Sequence, residues 1–152
     1  ELWDQNPTLM VQYHKSFAQC RFDTGKDRDG PPKVFWFWGG TGTGKTRTAF
    51  ENHATRYIKD GTMWWDGYSQ QEAIIVDDFD GKWPYRDLLR VMDRYPYSGQ
   101  IKGGYTKVNS PYIYITCEYP PSHWWSGPEL AQILRRIFEV KEFNMNLEEV
   151  FQ

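Results

Sequence analysis

Eight consecutive residues constrain this chain more than any others: Gly39-Gly40-Thr41-Gly42-Thr43-Gly44-Lys45-Thr46. They fit the pattern Gly-x-x-x-x-Gly-Lys-Ser/Thr. Before them runs Val34-Phe35-Trp36-Phe37-Trp38, nearly continuous in apolar residues and suited to a central strand buried on both faces. After them the pattern predicts a helix over 45–58. Strand, glycine turn and helix in that order make a cradle for an anion. Glycines let backbone N–H groups curl around phosphate oxygens without obstruction by Cβ. The helix start adds its unpaired amides and the positive end of its dipole. Lys45 is placed to reach the β- and γ-phosphates of a nucleoside triphosphate, and the Thr46 hydroxyl to ligate Mg²⁺.

Such a loop needs an acidic partner for metal and water. Ala73-Ile74-Ile75-Val76-Asp77-Asp78 supplies it, an apolar strand ending in two carboxylates. Adjacent strand residues point to opposite faces, which permits unlike roles. Asp77 is assigned to the Mg²⁺ shell through water and Asp78 to polarising the attacking water, with Asp80 a weaker alternative. Together the two segments favour hydrolysis of the triphosphate over storage of it. The guanine-reading pattern Asn-Lys-x-Asp is absent.

At 152 residues the chain has room for one domain. Its apolar content of 39% and charged content of 25% exclude wholesale disorder. A net charge of −2 excludes a basic coat, so any nucleic-acid site must be local or assembled by oligomerisation. Eight tryptophans are divided by expectation between core and docking surface. Cys20 and Cys117 suit neither a disulfide scaffold nor a metal cluster, which favours a reducing compartment. No apolar run is long enough for a membrane span, and no signal-peptide pattern opens the chain. The start at Glu1 is consistent with an excised domain or a lost initiator.

Met10, Tyr13, Phe17 and Cys20 lie at helical spacing, so residues 1–23 read as a helical appendage and 24–32 as a polar connector. Pro84 opens a helix carrying Tyr85, Leu88, Leu89 and Met92 on one face. Residues 112–117 read as a strand, 128–136 as a helix with a stripe of Leu130, Ile133, Leu134 and Ile137, and 137–143 as a last strand. Between Arg94 and Ser110 the charged residues are Arg94, Lys102 and Lys107, with no acid. Gln100-Ile101-Lys102-Gly103-Gly104-Tyr105-Thr106 has a Gly103-Gly104 turn between short β-prone pieces and reads as a hairpin. Lys102 and Lys107 can bind a phosphodiester backbone and Tyr105 can stack on a base; a merely solvated hairpin is the competing reading. Arg135 and Arg136 can neutralise charge on a neighbouring subunit's γ-phosphate in an oligomer, and otherwise form a polar helix face.

The assembly resembles the superfamily 3 helicase domain of the replication-initiator (Rep) proteins of circular single-stranded DNA viruses, the circovirus, nanovirus and alphasatellite-like group. The match covers residues 7–143. Its Walker A corresponds to the glycine loop and its Walker B to Ile74-Ile75-Val76-Asp77-Asp78-Phe79. Trp64-Trp65-Asp66-Gly67-Tyr68, Asp93-Arg94-Tyr95-Pro96, Lys102-Gly103-Gly104 and Arg135-Arg136-Ile137 follow in the order and spacing of the family. The resemblance implies an ATP- and Mg²⁺-dependent 3′-to-5′ DNA helicase, assembled as a hexameric ring on single-stranded DNA in the host nucleus. It implies that the hairpin around Lys102 and Lys107 projects into the channel and that an amino-terminal helical segment supports the ring. It also implies that the family's nicking endonuclease domain is not within these residues. One position departs from the family: Ile115-Thr116-Cys117-Glu118 stands where Ile-Thr-Ser-Asn is usual. A carboxylate cannot donate to a γ-phosphate as an amide can, so Glu118 either accepts from the water or is paired with a basic group.

The expected fold is an α/β P-loop NTPase of the AAA+-like superfamily 3 type, with a mostly parallel sheet and a small helical amino-terminal module. The expected division is 1–32 for an oligomerising segment and linker, 33–143 for the ATPase/helicase domain and 144–152 for a tail. The alternatives are a weakly hydrolysing replication scaffold that binds ATP and DNA, and a small-molecule P-loop kinase.

Overall fold

The computed structural model describes residues 26–40 and 43–144. The expected amino-terminal helix, the tail beyond 144, and Thr41 and Gly42 of the loop lie outside the described residues.

Alternation along the strands builds a two-faced sheet. Val34 and Trp36, Ile74 and Val76, and Ile113, Ile115 and Cys117 join one cluster; Phe35 and Phe37, Ala73 and Ile75, and Tyr112 and Tyr114 join the other. These residues belong to β1 (Lys33–Gly39), β3 (Ala73–Val76) and β6 (Tyr112–Cys117). With β2 (Arg56–Lys59) and β7 (Glu139–Phe143) they form a sheet in the order β2-β3-β6-β1-β7. All four pairings are parallel. The first face is covered by Leu88, Val91 and Met92 of α2 (Tyr85–Met92) and Ile133 of α4 (Gly127–Arg136); Ala49 of α1 (Lys45–Glu51) packs on the second. A short α3 (Pro121–Trp124) precedes α4, and β4 (Tyr97–Ile101) pairs with β5 (Gly104–Val108) as a separate antiparallel hairpin.

Three expectations are corrected. The helix expected over 45–58 ends at Glu51, and Arg56–Lys59 is an edge strand paired in parallel with Ala73–Val76. His53 draws the intervening chain onto the sheet, its Nδ1 2.9 Å from Glu72 Oε1 and its Nε2 2.6 Å from the Tyr114 hydroxyl. Arg56 donates to the carbonyls of Phe50 and His53, satisfying groups that a continuing helix would have used. The central strand is β6, flanked by β3 and β1, whereas β1 stands one place off centre. On α4 the apolar stripe is narrower than expected, with Ile133 fully buried and Leu134 44% exposed.

Of the adjacent tryptophan pairs, Trp64-Trp65 splits between surface and interior, while Trp124 and Trp125 are both half-buried. Trp36, Trp65 and Trp83 are buried, while Trp64 is 36% exposed. Gly99 has no Cβ because an ideal one would stand 2.4 Å from the Trp65 ring. The connector is anchored by Arg28, which donates to the carbonyls of Arg90, Val91 and Tyr95. A cation on the carbonyls that end α2 complements the helix dipole. Burial pulls the Arg28 guanidinium down to about 10, against the opposing effect of Asp93.

Candidate nucleotide site and hairpin

Parallel pairing brings the strand ends to one edge. The registers Trp38↔Cys117 and Val76↔Ile115 set the glycine loop, the acid pair and Glu118 along the carboxyl edge of adjacent strands. Ligands of open α/β sheets bind at that edge. Gly39 has φ 144°, and a Cβ on it would lie 2.1 Å from the carbonyl oxygen of Phe143 on β7. Gly44, at the N-cap of α1, has φ 88°. Glycine is required at both places. Within the loop, Thr43 Oγ1 donates to the Gly40 carbonyl at 2.7 Å. Lys45 Nζ donates to the carbonyls of Gly39 and Gly40, each at 2.9 Å, so the ammonium lies against the loop itself.

Thr46 and Asp77, 31 residues apart, meet at this edge: Thr46 Oγ1 donates to Asp77 Oδ1 at 2.7 Å. Thr116 Oγ1 donates to the same oxygen at 3.0 Å and accepts the Asp78 N–H at 3.2 Å. The Phe79 N–H donates to the Thr116 carbonyl at 2.8 Å. Asp77 is half-buried, whereas Asp78 is exposed in a left-handed conformation with φ 52°. Asp80 is engaged in its own turn, accepting from the Lys82 N–H at 3.1 Å. Glu118 is exposed directly after β6. The sequence places Thr116 in the Ile115-Thr116-Cys117-Glu118 block but assigns a role only to Glu118. The available signal was a short aliphatic hydroxyl near the end of a buried strand, Tyr112–Cys117, that runs to the same edge.

The hairpin turns at Lys102-Gly103, one residue before the expected Gly103-Gly104, because Gly104 pairs with Ile101; Gly103 has φ 91°. Lys102 is exposed and Tyr105 is 65% exposed. Lys107 is less free, with Nζ 3.7 Å from Asp27 Oδ1. Gly104 begins β5 beside the turn. The Trp64–Tyr68 segment supports this hairpin. Trp64 bridges to Gln100, the Trp65 N–H donates to the Gln100 carbonyl at 2.8 Å, and Asp66 Oδ1 accepts the Lys102 N–H at 3.0 Å. Tyr57 of β2 stacks on Trp65 with centroids 5.9 Å apart and donates its hydroxyl to the Asp66 carbonyl at 2.8 Å.

The arginine pair divides. Arg136 Nη2 lies 3.1 Å from Asp93 Oδ2, and its side chain is 15% exposed. Arg135 is exposed and donates to Gln132 Oε1 at 3.0 Å. Burial pushes the Asp93 carboxyl up, but the Arg94 N–H with the Arg136 and Arg28 guanidinium groups outweighs it and holds the carboxyl below its ordinary range. The two arginines border a groove of about 880 Å³ that also includes Lys33, Arg94 and Tyr95.

A glycine loop at the carboxyl edge of a parallel sheet, with its threonine on a strand-end aspartate, defines a P-loop nucleotide-binding protein. A family model described as RNA helicase matches residues 35–119, and the chain belongs to that family as a superfamily 3 helicase domain. Replication-associated proteins of circoviruses are its homologues. The chain is 39% identical to the replication-associated protein of canary circovirus over 132 residues, covering 85% of this chain and 46% of that protein. It is 37% identical to that of beak and feather disease virus, covering 95% and 51%, and 35% identical to that of porcine circovirus 2, covering 88% and 45%. The chain therefore spans about half the length of the curated relatives it matches. A closed-state cryo-EM reconstruction of Hsp104 with ATPγS and FITC casein aligns with TM-score 0.51 at 15% identity, covering 86% of this chain and 32% of that one. That likeness concerns the fold alone. Among the described residues, no helix is long and apolar enough to cross a membrane.

Proposed function

We propose that this domain couples ATP hydrolysis to 3′-to-5′ movement along DNA, separating strands as a hexameric ring during rolling-circle replication of a circular single-stranded genome in the host nucleus. The observation that carries the chemical part is the 2.7 Å hydrogen bond between Thr46 and Asp77, which unites loop and acid strand in one site. In this reading the loop amides hold the phosphates, and Lys45 exchanges the carbonyls of Gly39 and Gly40 for β- and γ-phosphate oxygens. The hydroxyl of Thr46 and the carboxylate of Asp77 are hard oxygen donors that suit Mg²⁺. Bound there, Mg²⁺ supplies charge neutralisation between the phosphates. Asp78, exposed beside that pair, orients the attacking water, and Glu118 accepts from it.

Arg135 is the better candidate to reach a neighbour's γ-phosphate, because Arg136 is held by Asp93 within its own chain. Lys102 and Tyr105, at and beside the exposed hairpin turn, meet the phosphodiester and a base of single-stranded DNA, with Gly103 and Gly104 shaping the approach and Lys107 behind them. Strand displacement on duplexes with a 3′ or a 5′ tail, with ATP and Mg²⁺ and with sizing of the assembly, tests the whole reading. Unwinding confined to the 3′-tailed duplex by a ring supports it; ATP turnover with neither duplex opened overturns the helicase part. Glu118 favours a second reading, a scaffold that binds ATP and DNA but hydrolyses slowly, because a carboxylate stands where the family's amide would donate.

A further inference from the structure

Thr116 is fully buried near the end of β6, where a hydroxyl without partners would be costly. Besides its place in the β-ladder, Thr116 makes one bond to each of the three residues that follow β3. The hydroxyl donates to Asp77 Oδ1 and accepts the Asp78 N–H, and the carbonyl accepts the Phe79 N–H. Asp77 Oδ1 thereby receives two hydroxyl donors, from Thr46 at 2.7 Å and Thr116 at 3.0 Å. The same oxygen cannot rotate away without breaking both bonds. Asp78 holds φ 52°, a region that non-glycine residues seldom occupy, with its N–H bonded to the Thr116 hydroxyl.

We propose that Thr116 is a positioning residue for the acid pair: its hydroxyl fixes the rotamer of Asp77, leaving Oδ2 for the cation's hydration shell, and holds the left-handed turn at Asp78. It touches neither nucleotide nor metal and acts through its neighbours. This inference rests on the reading of the loop as an ATP–Mg²⁺ site, and it reaches a residue that neither the loop pattern nor the acid pattern contains.

The test measures binding of a non-hydrolysable ATP analogue by titration calorimetry, once with Mg²⁺ and once with EDTA, on the full chain. Thr116→Val removes the hydroxyl and keeps the branched shape. It should weaken analogue binding in Mg²⁺ by about tenfold, the low end for partners that orient metal ligands. Binding in EDTA should stay within about twofold of the parent, since that measurement does not involve the cation. Thr116→Ser should restore the Mg²⁺-dependent value. The Mg²⁺ concentration giving half-maximal ATPase should move in parallel.

A valine variant that matches the parent in both titrations overturns the role, as does an equal loss in both, which would mark Thr116 as support for the loop alone. Should the valine variant lose its melting transition, Thr116→Cys, a weaker donor of similar size, takes the same titrations and the same criteria. A parent protein that fails to bind the analogue under either condition overturns the ATP reading and the Thr116 role with it. A parent with Mg²⁺-enhanced binding that the variants retain overturns only the latter.

Discussion

Lys45 keeps its ammonium on two loop carbonyls and buries no apolar surface that the core requires. Lys45→Ala should therefore abolish ATPase while leaving the melting temperature close to that of the parent; parent-level turnover at saturating and subsaturating ATP would remove the proposed site. Asp77→Asn and Asp78→Asn should both be severe, but with different signatures. Asp77 shares a hydrogen bond with Thr46, so its variant should show the larger rise in Mg²⁺ required for half-maximal rate. Asp78 is exposed beside that bond, so its variant should lose rate with little change in the Mg²⁺ curve. Gly39→Ala is a structural test of the same loop. The added Cβ would meet the Phe143 carbonyl oxygen 2.1 Å away at a φ of 144°. Denaturant midpoints should record a loss of at least about 2 kcal/mol, from backbone strain and overpacking together.

Among elements, the β4–β5 hairpin and the Trp64–Tyr68 segment act as one piece. Asp66 accepts the turn N–H of Lys102, and the missing Cβ of Gly99 admits the Trp65 ring. Asp66→Ala should lower single-stranded DNA affinity by loosening the turn while costing about 1 kcal/mol or less in stability, because the bond lies at the surface. Lys102→Ala should weaken binding and reduce the slope of log K against log salt by about 0.7, the change for one phosphate contact on a single strand. Lys107→Ala should do less, since its ammonium is shared with Asp27 at 3.7 Å. Basal ATPase should survive in all three. Unchanged DNA binding by the double lysine variant across a salt series would take the hairpin out of the DNA path. The same segment reaches back to β2 through Tyr57, which stacks on Trp65 and bonds Asp66. The edge strand that displaced the expected helix therefore carries the platform for the hairpin.

For the whole molecule, the proposed ring makes a prediction about sharing. Mixed assemblies of Arg135→Ala and Lys45→Ala subunits should recover part of the ATPase that each lacks alone, because one boundary joins an intact loop to an intact arginine. No recovery in demonstrated mixed rings argues against Arg135, and the same mixture made with Arg136→Ala tests its neighbour. Alkaline stability is a second property of the whole fold. Burial first, then the Asp60 and Asp66 carboxylates, pushes the Tyr57 phenol up to about 12. Burial also raises Tyr68, Tyr97 and Tyr114 above the ordinary value of 10.0. A raised phenol contributes stability that is complete below the unfolded value and is lost as pH rises through the folded one. Arg28, lowered to about 10 from 12.5, acts in the opposite sense over the same window. Burial also lowers the Lys59 ammonium, in the sense of Arg28, and raises the Cys117 thiol, in the sense of the tyrosines. Four tyrosines and one thiol against Arg28 and Lys59 should leave melting temperature falling from pH 10 towards 12, and a flat profile there would contradict it.

Local features are legible in the sequence itself. A glycine- and threonine-rich loop ending in Lys45-Thr46, an apolar run closing on Asp77-Asp78, a hairpin around Gly103 and a helix opened by Pro84 each encode their own conformation in adjacent residues. What could not be read were partnerships between such pieces. The order β2-β3-β6-β1-β7 is not sequential, and the four residues of β2 become a strand by pairing with β3 rather than through their own pattern. Asp66 finds Lys102 across 36 residues and Asp93 finds Arg136 across 43, joining in space blocks that stand apart in sequence. Thr116 meets Asp77 across 39. Side-chain periodicity states which face of an element is apolar. Which element covers that face, and which buried hydroxyl then falls beside which carboxylate, is decided by packing the sheet as a whole.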